Sequence, residues 1–165
     1  MTFACIMIDP PWPERGGGKI KRGADRHYPL MRWQETLSVL LRAPVWTPAP
    51  SCHLWCWYTD NHLLAALKLV EALDFRYVRT MAWAKDRIGI GQYMRGQHEG
   101  CILAVRGAAM KPARAPSSLV VAKRRQHSRK PDEAIATIER VSPGPRLEMF
   151  ARGPREGWTT WGNEA

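Results

Sequence analysis

The sequence predicts a single α/β domain built on a mixed, mostly parallel β-sheet with helices on both faces. Short apolar segments of strand length alternate along the chain with segments of helical periodicity. Several of these segments are apolar at every position, which is typical of strands in a sheet that helices cover on both faces. The chain has 165 residues, which suffices for one ordinary domain, so we expect one domain over residues 1–165.

The first elements are a strand, a loop and a helix. Phe3–Ile8 is continuously apolar and ends abruptly at Asp9-Pro10-Pro11-Trp12, which predicts a buried strand. Residues 13–30 are rich in glycine, Lys and Arg and lack periodicity, which indicates a surface loop. Apolar residues then recur at helical spacing over residues 33–42, and we expect this helix to end at Ala43-Pro44.

The same order of strand and helix is repeated in the middle of the chain. Residues 44–51 contain three prolines and are expected to form a connector to a second buried strand at Cys52–Tyr58. Thr59 or Asp60 can cap the helix that follows. The apolar face of this helix is predicted from Leu63, Leu67 and Val70.

Further strands are predicted at Phe75–Ala84 and Cys101–Val105, separated by a glycine-containing loop at residues 86–97. Residues 106–130 lack periodicity and contain eight basic residues and no acidic one. This is the strongest block of charge in the chain.

The last predicted elements are a helix and a strand. The helix begins at Pro131, has Asp132 and Glu133 in its first turn, and is expected to end at residues 142–145. A strand follows at Leu147–Phe150. Trp158 and Trp161 then lie on a glycine-flanked tail.

The charge balance is strongly basic. Lys and Arg number 25 against 15 Asp and Glu, which gives a formal net charge of +10 and favours a polyanionic partner such as nucleic acid. Hydrophobic residues make up 45% of the chain, which argues against intrinsic disorder. No apolar run reaches the roughly 18 residues of a membrane span, so we expect no membrane partner and a cytoplasmic location.

The cysteines at positions 5, 52, 56 and 101 have no CxxC pairing, which predicts reduced and mostly buried thiols. Cys52, His53 and Cys56 are conceivable metal ligands, but they lie in an apolar run without a second ligand pair at the required spacing. We therefore expect no metal site.

The sequence Asp9-Pro10-Pro11-Trp12 is the strongest candidate for a functional site, because open α/β sheets bind ligands at the carboxyl ends of their strands. Asp9 offers carboxylate acceptors, and Pro10 can present its carbonyl from a loop that Pro11 stiffens further. Trp12 offers a flat face for stacking on a planar heterocycle.

Two acceptors beside an aromatic face form a receptor for an exocyclic amine on a flat ring, and adenine fits that description. If Asp9 and the Pro10 carbonyl accepted hydrogen bonds from both N–H groups of the amine, they would favour a pyramidal nitrogen whose lone pair can attack an electrophile. The alternative interpretation is a proline-rich turn with a core tryptophan.

These residues also resemble a known family. The tetrapeptide resembles the Asp-Pro-Pro-Trp signature of the adenine-N6 methyltransferases related to the seventy-kilodalton subunit of the messenger-RNA methyltransferase, the MT-A group. Further segments resemble that family in the same order along nearly the whole chain. They are Tyr28-Pro29-Leu30-Met31, Leu54-Trp55, Trp83-Ala84-Lys85, His98-Glu99, His127 to Glu133, Leu147 to Arg152, and Gly157-Trp158 through Gly162-Asn163-Glu164.

The resemblance implies a permuted Rossmann-like methyltransferase fold with the catalytic strand first and the cofactor strand last. It also implies S-adenosylmethionine as the methyl donor and S-adenosylhomocysteine as the product. Asp9 would bind the target amine and would also contact the methionine group of the donor beside it. Tyr28 would line the adenine pocket with support from Glu99. Lys130 would pair with the donor carboxylate. The other implied donor contacts are Glu148, Phe150, Arg152, Asn163 and Glu164. Arg155 is a candidate substitute for a His-Asn that some members carry after the last strand.

We expect methyl transfer to the N6 amine of adenine in nucleic acid, with DNA favoured over RNA and no separate target-recognition domain. Lys123, Arg124 and Arg125 are expected to contact phosphates, although such a basic run can also be a solvated face. Two alternatives stay open, namely RNA methylation and a catalytically silent nucleic-acid-binding subunit. Self-association as a homodimer, or a partner subunit, is also left open.

Overall fold

The computed structural model describes residues 1–13, 30–125 and 129–163. Within them, the strands are β1 (Phe3–Ile8), β2 (Pro48–Tyr58), β3 (Arg76–Ala84), β4 (His98–Arg106), β5 (Leu119–Val121), β6 (Arg146–Met149) and β7 (Thr159–Trp161). The helices are α1 (Trp33–Arg42), α2 (Leu63–Ala72) and α3 (Asp132–Val141), and a 3₁₀ turn at Asp60–His62 leads into α2. The seven strands form one sheet in the order β5-β3-β4-β2-β1-β6-β7.

The sheet is mixed and mostly parallel, as predicted. β1 pairs in parallel with β2 and β6, β6 with β7, and β3 with β5, whereas β4 runs antiparallel to β2 and β3. The carboxyl ends of six strands therefore meet the amino end of β4 along one rim of the sheet. This carboxyl rim is formed by Ile8, Tyr58, Ala84, His98 and Met149.

Helices cover both faces of the sheet, because side chains of each strand alternate between two hydrophobic clusters. Ile6 and Ile8 of β1 pack in the cluster that includes α1 and α2. Cys5 and Met7 of the same strand pack in the cluster that includes α3. The continuous apolar run of β1 is thus explained by burial on both faces.

The structure confirms α1 at residues 33–42 and places Pro131 at the N-cap of α3. The predicted face of α2 is wrong in part, since Leu63 is 40% exposed and the buried residues are Ala66, Leu69 and Val70. The buried face contains the small Ala66 between larger residues, and a pattern of large apolar side chains does not pick out such a position.

Four strands differ clearly from the expectation. β4 spans His98–Arg106 and so begins three residues before the predicted start at Cys101. β2 begins at Pro48, inside the segment predicted as a connector, because a proline is tolerated as the first residue of a strand. β5 and β7, which were not predicted, have three residues each and lie at the two sides of the sheet. Such short outer strands bury few side chains and so leave little periodicity in the sequence.

All four cysteines are buried and free, which confirms that prediction. Burial raises the pKa of the Cys5 and Cys52 thiols to about 12, so they remain protonated at neutral pH. Within the described ranges, no helix has the length and apolar character that crossing a bilayer requires.

Candidate active site

Charged side chains gather at the carboxyl rim, on the sheet face that α3 covers. Asp9 follows the buried Met7 by two residues, and Lys85 follows the buried Trp83 by two. Glu99 precedes a buried cysteine of β4 by two residues. Because strand side chains alternate with a period of two, these three charged residues continue the rows of the α3 face beyond its apolar core.

Lys130 joins this group from the segment before α3. Its Nζ lies 3.2 Å from Asp9 Oδ1 and donates to Glu99 Oε2 at 2.8 Å. The other oxygen of Glu99, Oε1, accepts from Lys85 Nζ at 2.8 Å. The result is a chain of alternating charge in the order Asp9, Lys130, Glu99, Lys85, with side chains between 12% and 24% exposed.

Two tryptophans lie against the cations of this chain. Lys130 Nζ is 4.9 Å from the ring centroid of Trp57, and Lys85 Nζ is 4.9 Å from that of Trp83. The two rings meet edge to face at 6.4 Å. A cation over an indole face is attracted by the ring quadrupole, so the tryptophans both fill the core and hold the ammonium groups.

The charges of the central pair are fixed by their neighbours. Burial alone would raise the pKa of Glu99, but Lys130 and Lys85 outweigh it and lower the pKa to about 2. Burial would lower the pKa of Lys130, but Asp9 and Glu99 raise it above its ordinary value. Both groups are therefore charged at neutral pH and act through charge and hydrogen bonding.

The proline turn after β1 is held by backbone hydrogen bonds. The Pro10 carbonyl accepts the N–H of Trp12 at 2.8 Å, and the Pro11 carbonyl accepts the N–H of Met31 at 2.9 Å. A carbonyl oxygen has two lone pairs, so that of Pro10 can accept a second donor. The turn is thus a stiff frame that positions Asp9 at the rim.

Trp12 does not provide the open stacking face that the sequence predicts. It is 4% exposed, and its Nε1 donates to the Trp57 carbonyl at 3.0 Å. Its ring stacks on His62 with centroids 5.6 Å apart and an interplanar angle of 9°. A large apolar ring with a satisfied N–H is stable inside the core, so for Trp12 the core interpretation is correct.

Glu148 and Phe150 lie at the rim end of β6. Arg155 donates to both Glu148 oxygens, at 2.6 Å from Nε and 3.4 Å from the terminal nitrogen, so the suggested substitute residue orients this carboxylate. Phe150 is 4% exposed and packs edge to face on Trp161, which makes its ring a core group rather than an open contact surface. Its φ of +61° is unusual for a residue other than glycine and turns the chain at the rim.

The remaining candidates fall in three places. Arg152 and Asn163 follow β6 and β7 at the same rim. Tyr28 and Glu164 lie outside the described residues. The basic run is exposed at all three positions, Lys123, Arg124 and Arg125. The backbone N–H of Arg124 donates to Asp86 at 2.9 Å, and the guanidinium of Arg125 donates to Asp132 at 2.5 Å.

Lys85 is the member of the cluster that has no role in the sequence-based prediction. The available signal was its position two residues after the buried Trp83, which continues the α3 face to the rim. Within the residues that the structure describes, no group of three or more His, Cys, Asp or Glu side chains is arranged to hold a metal ion.

Comparison with known proteins gives a consistent set of relatives. The family model MT-A70 matches residues 3–164. The chain is 29% identical over 177 residues to a Medicago truncatula protein named putative N(6)-adenosine-methyltransferase MT-A70-like, a match that covers 98% of the chain and 26% of the relative. It is 27% identical over 174 residues to the human N(6)-adenosine-methyltransferase catalytic subunit METTL3, covering 98% of the chain and 28% of that protein.

A third relative is more similar in size. The type II methyltransferase M.MunI of Mycoplasma sp is 29% identical over 186 residues, and the match covers 98% of the chain and 77% of that relative. The chain thus spans about a quarter of the plant and human relatives and most of the Mycoplasma one.

Proposed function

The chain belongs to the MT-A70 family, and from that premise we propose that it transfers a methyl group from S-adenosylmethionine to the N6 amine of adenine in nucleic acid. The observation that carries the proposal is the contact of Asp9, at the proline turn, with the buried cation of Lys130. The names of the plant and human relatives, which are N(6)-adenosine-methyltransferases, support the same reaction.

The residues at the carboxyl rim fit the groups that S-adenosylmethionine presents. Lys130 offers a cation to the donor carboxylate, and Glu148 offers acceptors to an amine or a ribose diol. Trp57 Nε1 and Thr59 Oγ1 are buried and have no hydrogen-bond partner within the described part of the chain. Such atoms gain from a ligand or a water that pairs with them. When bound, the donor supplies an electrophilic methyl group on a sulfonium.

Asp9 and Pro10 act on the acceptor amine in this proposal. The Asp9 carboxylate and the Pro10 carbonyl each accept a hydrogen bond from one N–H of the amine, which withdraws the nitrogen lone pair from the purine ring. On methyl transfer the donor would leave as S-adenosylhomocysteine, and the methylated nitrogen would release one proton to the Asp9 carboxylate or to water. Both acceptors are held before the substrate arrives, so little reorganisation accompanies the reaction. Tyr28 is proposed to line the adenine pocket, with Trp12 bracing the turn from within the core.

Lys130 can serve Asp9 and the donor together. An ammonium group has three donors, and two of them are used by Asp9 and Glu99 among the described residues. Lys85 and Glu99 keep this ammonium in place from the other side. The proposed donor contacts further include Phe150 through its backbone turn, together with Arg152, Asn163 and Glu164.

Between the two polymers we favour DNA, and Lys123, Arg124 and Arg125 are proposed to contact its phosphates. The preference is supported by the match to the type II methyltransferase, which is 29% identical over 186 residues. The human relative is named a catalytic subunit, which supports a partner chain or self-association as a further proposal.

One experiment tests both the reaction and the polymer. The purified chain is incubated with methyl-labelled donor and matched single-stranded and duplex DNA and RNA, and the labelled nucleoside is identified. We expect N6-methylated deoxyadenosine above N6-methyladenosine. Label on another base would refute the reaction, and label in RNA alone would refute the preference for DNA.

Donor titration by calorimetry tests the alternative of a silent subunit. That alternative expects no binding of S-adenosylmethionine, whereas the proposed enzyme binds it through Lys130. The titration needs no nucleic acid, so its result is independent of the polymer.

A further inference from the structure

The loop between β3 and β4, residues 85–97, carries large apolar side chains in solvent. Ile90, Tyr93 and Met94 are 89%, 101% and 87% exposed, and Ile88 is 47% exposed. Single exposed apolar residues are ordinary, but several within one short segment mark a surface that contacts something else. No step of the proposed methyl transfer uses them.

This loop is held by hydrogen bonds along its length. At its base, the N–H of Lys85 donates to the Gln97 carbonyl at 2.8 Å. Nearer the tip, the N–H of Gly89 donates to the Gly96 carbonyl at 2.7 Å, and Arg95 Nε donates to the Gly89 carbonyl at 2.8 Å. These bonds pair the two sides of the loop and set the position of the tip.

The tip itself is a tight turn. A Cβ added at Gly91 would lie 2.0 Å from the Met94 carbonyl oxygen, so only glycine allows the backbone to close in this way. The closed turn leaves the side chains of Tyr93 and Met94 pointing to solvent. Their exposure is therefore built into the backbone of the loop.

The loop adjoins the candidate active site. Lys85 at its base donates to Glu99 in the charged cluster. The next residue, Asp86, accepts a hydrogen bond from the backbone N–H of Arg124. This bond brings the basic segment of residues 123–125 to the start of the loop, beside Lys85. A nucleic-acid strand that entered the candidate active site would pass close to the loop and to residues 123–125.

The charge around the tip indicates the chemistry of its ligand. Arg87 and Arg95 flank the apolar residues, and the single acidic residue of the loop, Asp86, is engaged by Arg87 and Arg124. Cores of protein interfaces are depleted of charge. Surfaces that bind single-stranded nucleic acid instead combine cations that contact phosphates with rings that stack on bases.

We propose that Tyr93, flanked by Ile90 and Met94, stacks on an unpaired base of the substrate strand beside the target adenine. Arg87 and Arg95 contact the phosphates on either side of that base. The inference rests on the proposed function, since it takes nucleic acid as the substrate, and it adds a binding site for a second base outside the reaction centre.

The test measures binding of a fluorescent single-stranded oligonucleotide with one adenine. Tyr93→Ala is expected to weaken binding about 5- to 150-fold, and Tyr93→Phe, which keeps the ring, by less than about twofold. Tyr77→Ala is the matched control, because Tyr77 is also exposed but lies at the opposite rim. Thermal unfolding midpoints are expected to stay equal for the Tyr93 variants.

A series of abasic oligonucleotides locates the stacked base. One abasic position is expected to weaken binding to the wild-type chain as much as Tyr93→Ala does, and to cost nothing further in that variant. Equal affinity of the wild-type chain and Tyr93→Ala overturns the inference and leaves the proposed function standing. A wild-type chain that binds no oligonucleotide overturns both.

A protein partner gives a different result. If the tip is an interface between copies of the chain, Tyr93→Ala lowers the mass measured by light scattering and leaves oligonucleotide affinity unchanged. That result also overturns the inference.

Discussion

Lys130 Nζ lies 3.2 Å from Asp9 Oδ1, although the two residues are 121 positions apart in the chain. The contact forms because β1 ends at the carboxyl rim and the segment before α3 returns to it. Both side chains are largely withdrawn from solvent, at 12% and 24% exposure. An ion pair at this depth interacts more strongly than a surface ion pair. Removing one partner is also more costly, because the remaining charge is left buried without a partner.

Asp9→Asn keeps the size of the side chain and removes its charge. We expect methyl transfer to fall at least about 100-fold, the usual cost of losing one preorganised polar group, while donor affinity changes by less than tenfold. Radiolabel transfer and calorimetry provide the two measurements. Asp74→Asn at the opposite rim, where the side chain is 86% exposed, is the control and should retain full activity. Full activity of Asp9→Asn would contradict the proposed role of Asp9.

Lys130→Met removes the cation that separates Asp9 from Glu99. Two carboxylates then share a partly buried site without their common partner, and we expect a loss of about 3–5 kcal/mol in the free energy of unfolding. Donor binding should also be lost. Urea denaturation and calorimetry measure these effects, with Lys123→Met as an exposed control expected within about 0.5 kcal/mol of wild type. A Lys130→Met chain as stable as the control would show that the network contributes no stability.

Glu99 should make stability depend on pH in the acid range. Its pKa is lowered from 4.5 to about 2 in the folded chain, so the unfolded chain binds the proton more tightly. The stabilisation is therefore present above about pH 4.5 and is lost as the pH falls towards 2. Urea midpoints are measured between about pH 2.5 and about pH 7, a range that includes the ordinary pKa of a glutamate. As the pH falls, they should decrease more steeply for wild type than for Glu99→Gln. Parallel curves would contradict this assignment.

Trp12→Ala should act first on stability, because the ring is buried. We expect a cost of about 3–5 kcal/mol, as for other buried tryptophans. Trp12→Phe keeps the stack on His62 and loses the bond to the Trp57 carbonyl, at a cost of about 1 kcal/mol. His62→Ala removes the stacking partner alone and should cost about 0.5–1.5 kcal/mol. Urea denaturation orders the three variants, and an unaltered stability of Trp12→Ala would contradict the core role.

The elements that the sequence predicts well are those with a strong local pattern. β1 is buried on both faces and therefore continuously apolar, and α1 and α3 have one apolar face with clear ends. The outer strands β5 and β7 have three residues each and depend on their neighbours in the sheet. Their pairing is a tertiary property, so a local pattern does not reveal it.

The candidate site was predicted residue by residue but not as a network. Asp9, Glu99 and Lys130 were all named from sequence, yet their contact depends on the order of strands and on the reversal of β4. The open stacking face predicted for Trp12 is not present in the structure, because residue type alone does not tell a buried ring from an exposed one. Burial is decided by β2 and by the turn before α2, which pack on this ring.

Gly100→Ala tests how closely the rim is packed beside Glu99. A Cβ at this position would lie 2.2 Å from a ring carbon of Tyr58, which is 8% exposed and so has little room to move. We expect a loss of about 1–3 kcal/mol in the free energy of unfolding, the usual cost of overpacking. Gly96→Ala is the matched control, since an added Cβ there meets no atom within 4 Å. Because Gly100 adjoins Glu99, the ring displacement should also disturb the contact with Lys130 and lower donor affinity. If Gly100→Ala lowered stability and left donor affinity unchanged, the Glu99 carboxylate would not be needed to hold Lys130 in place.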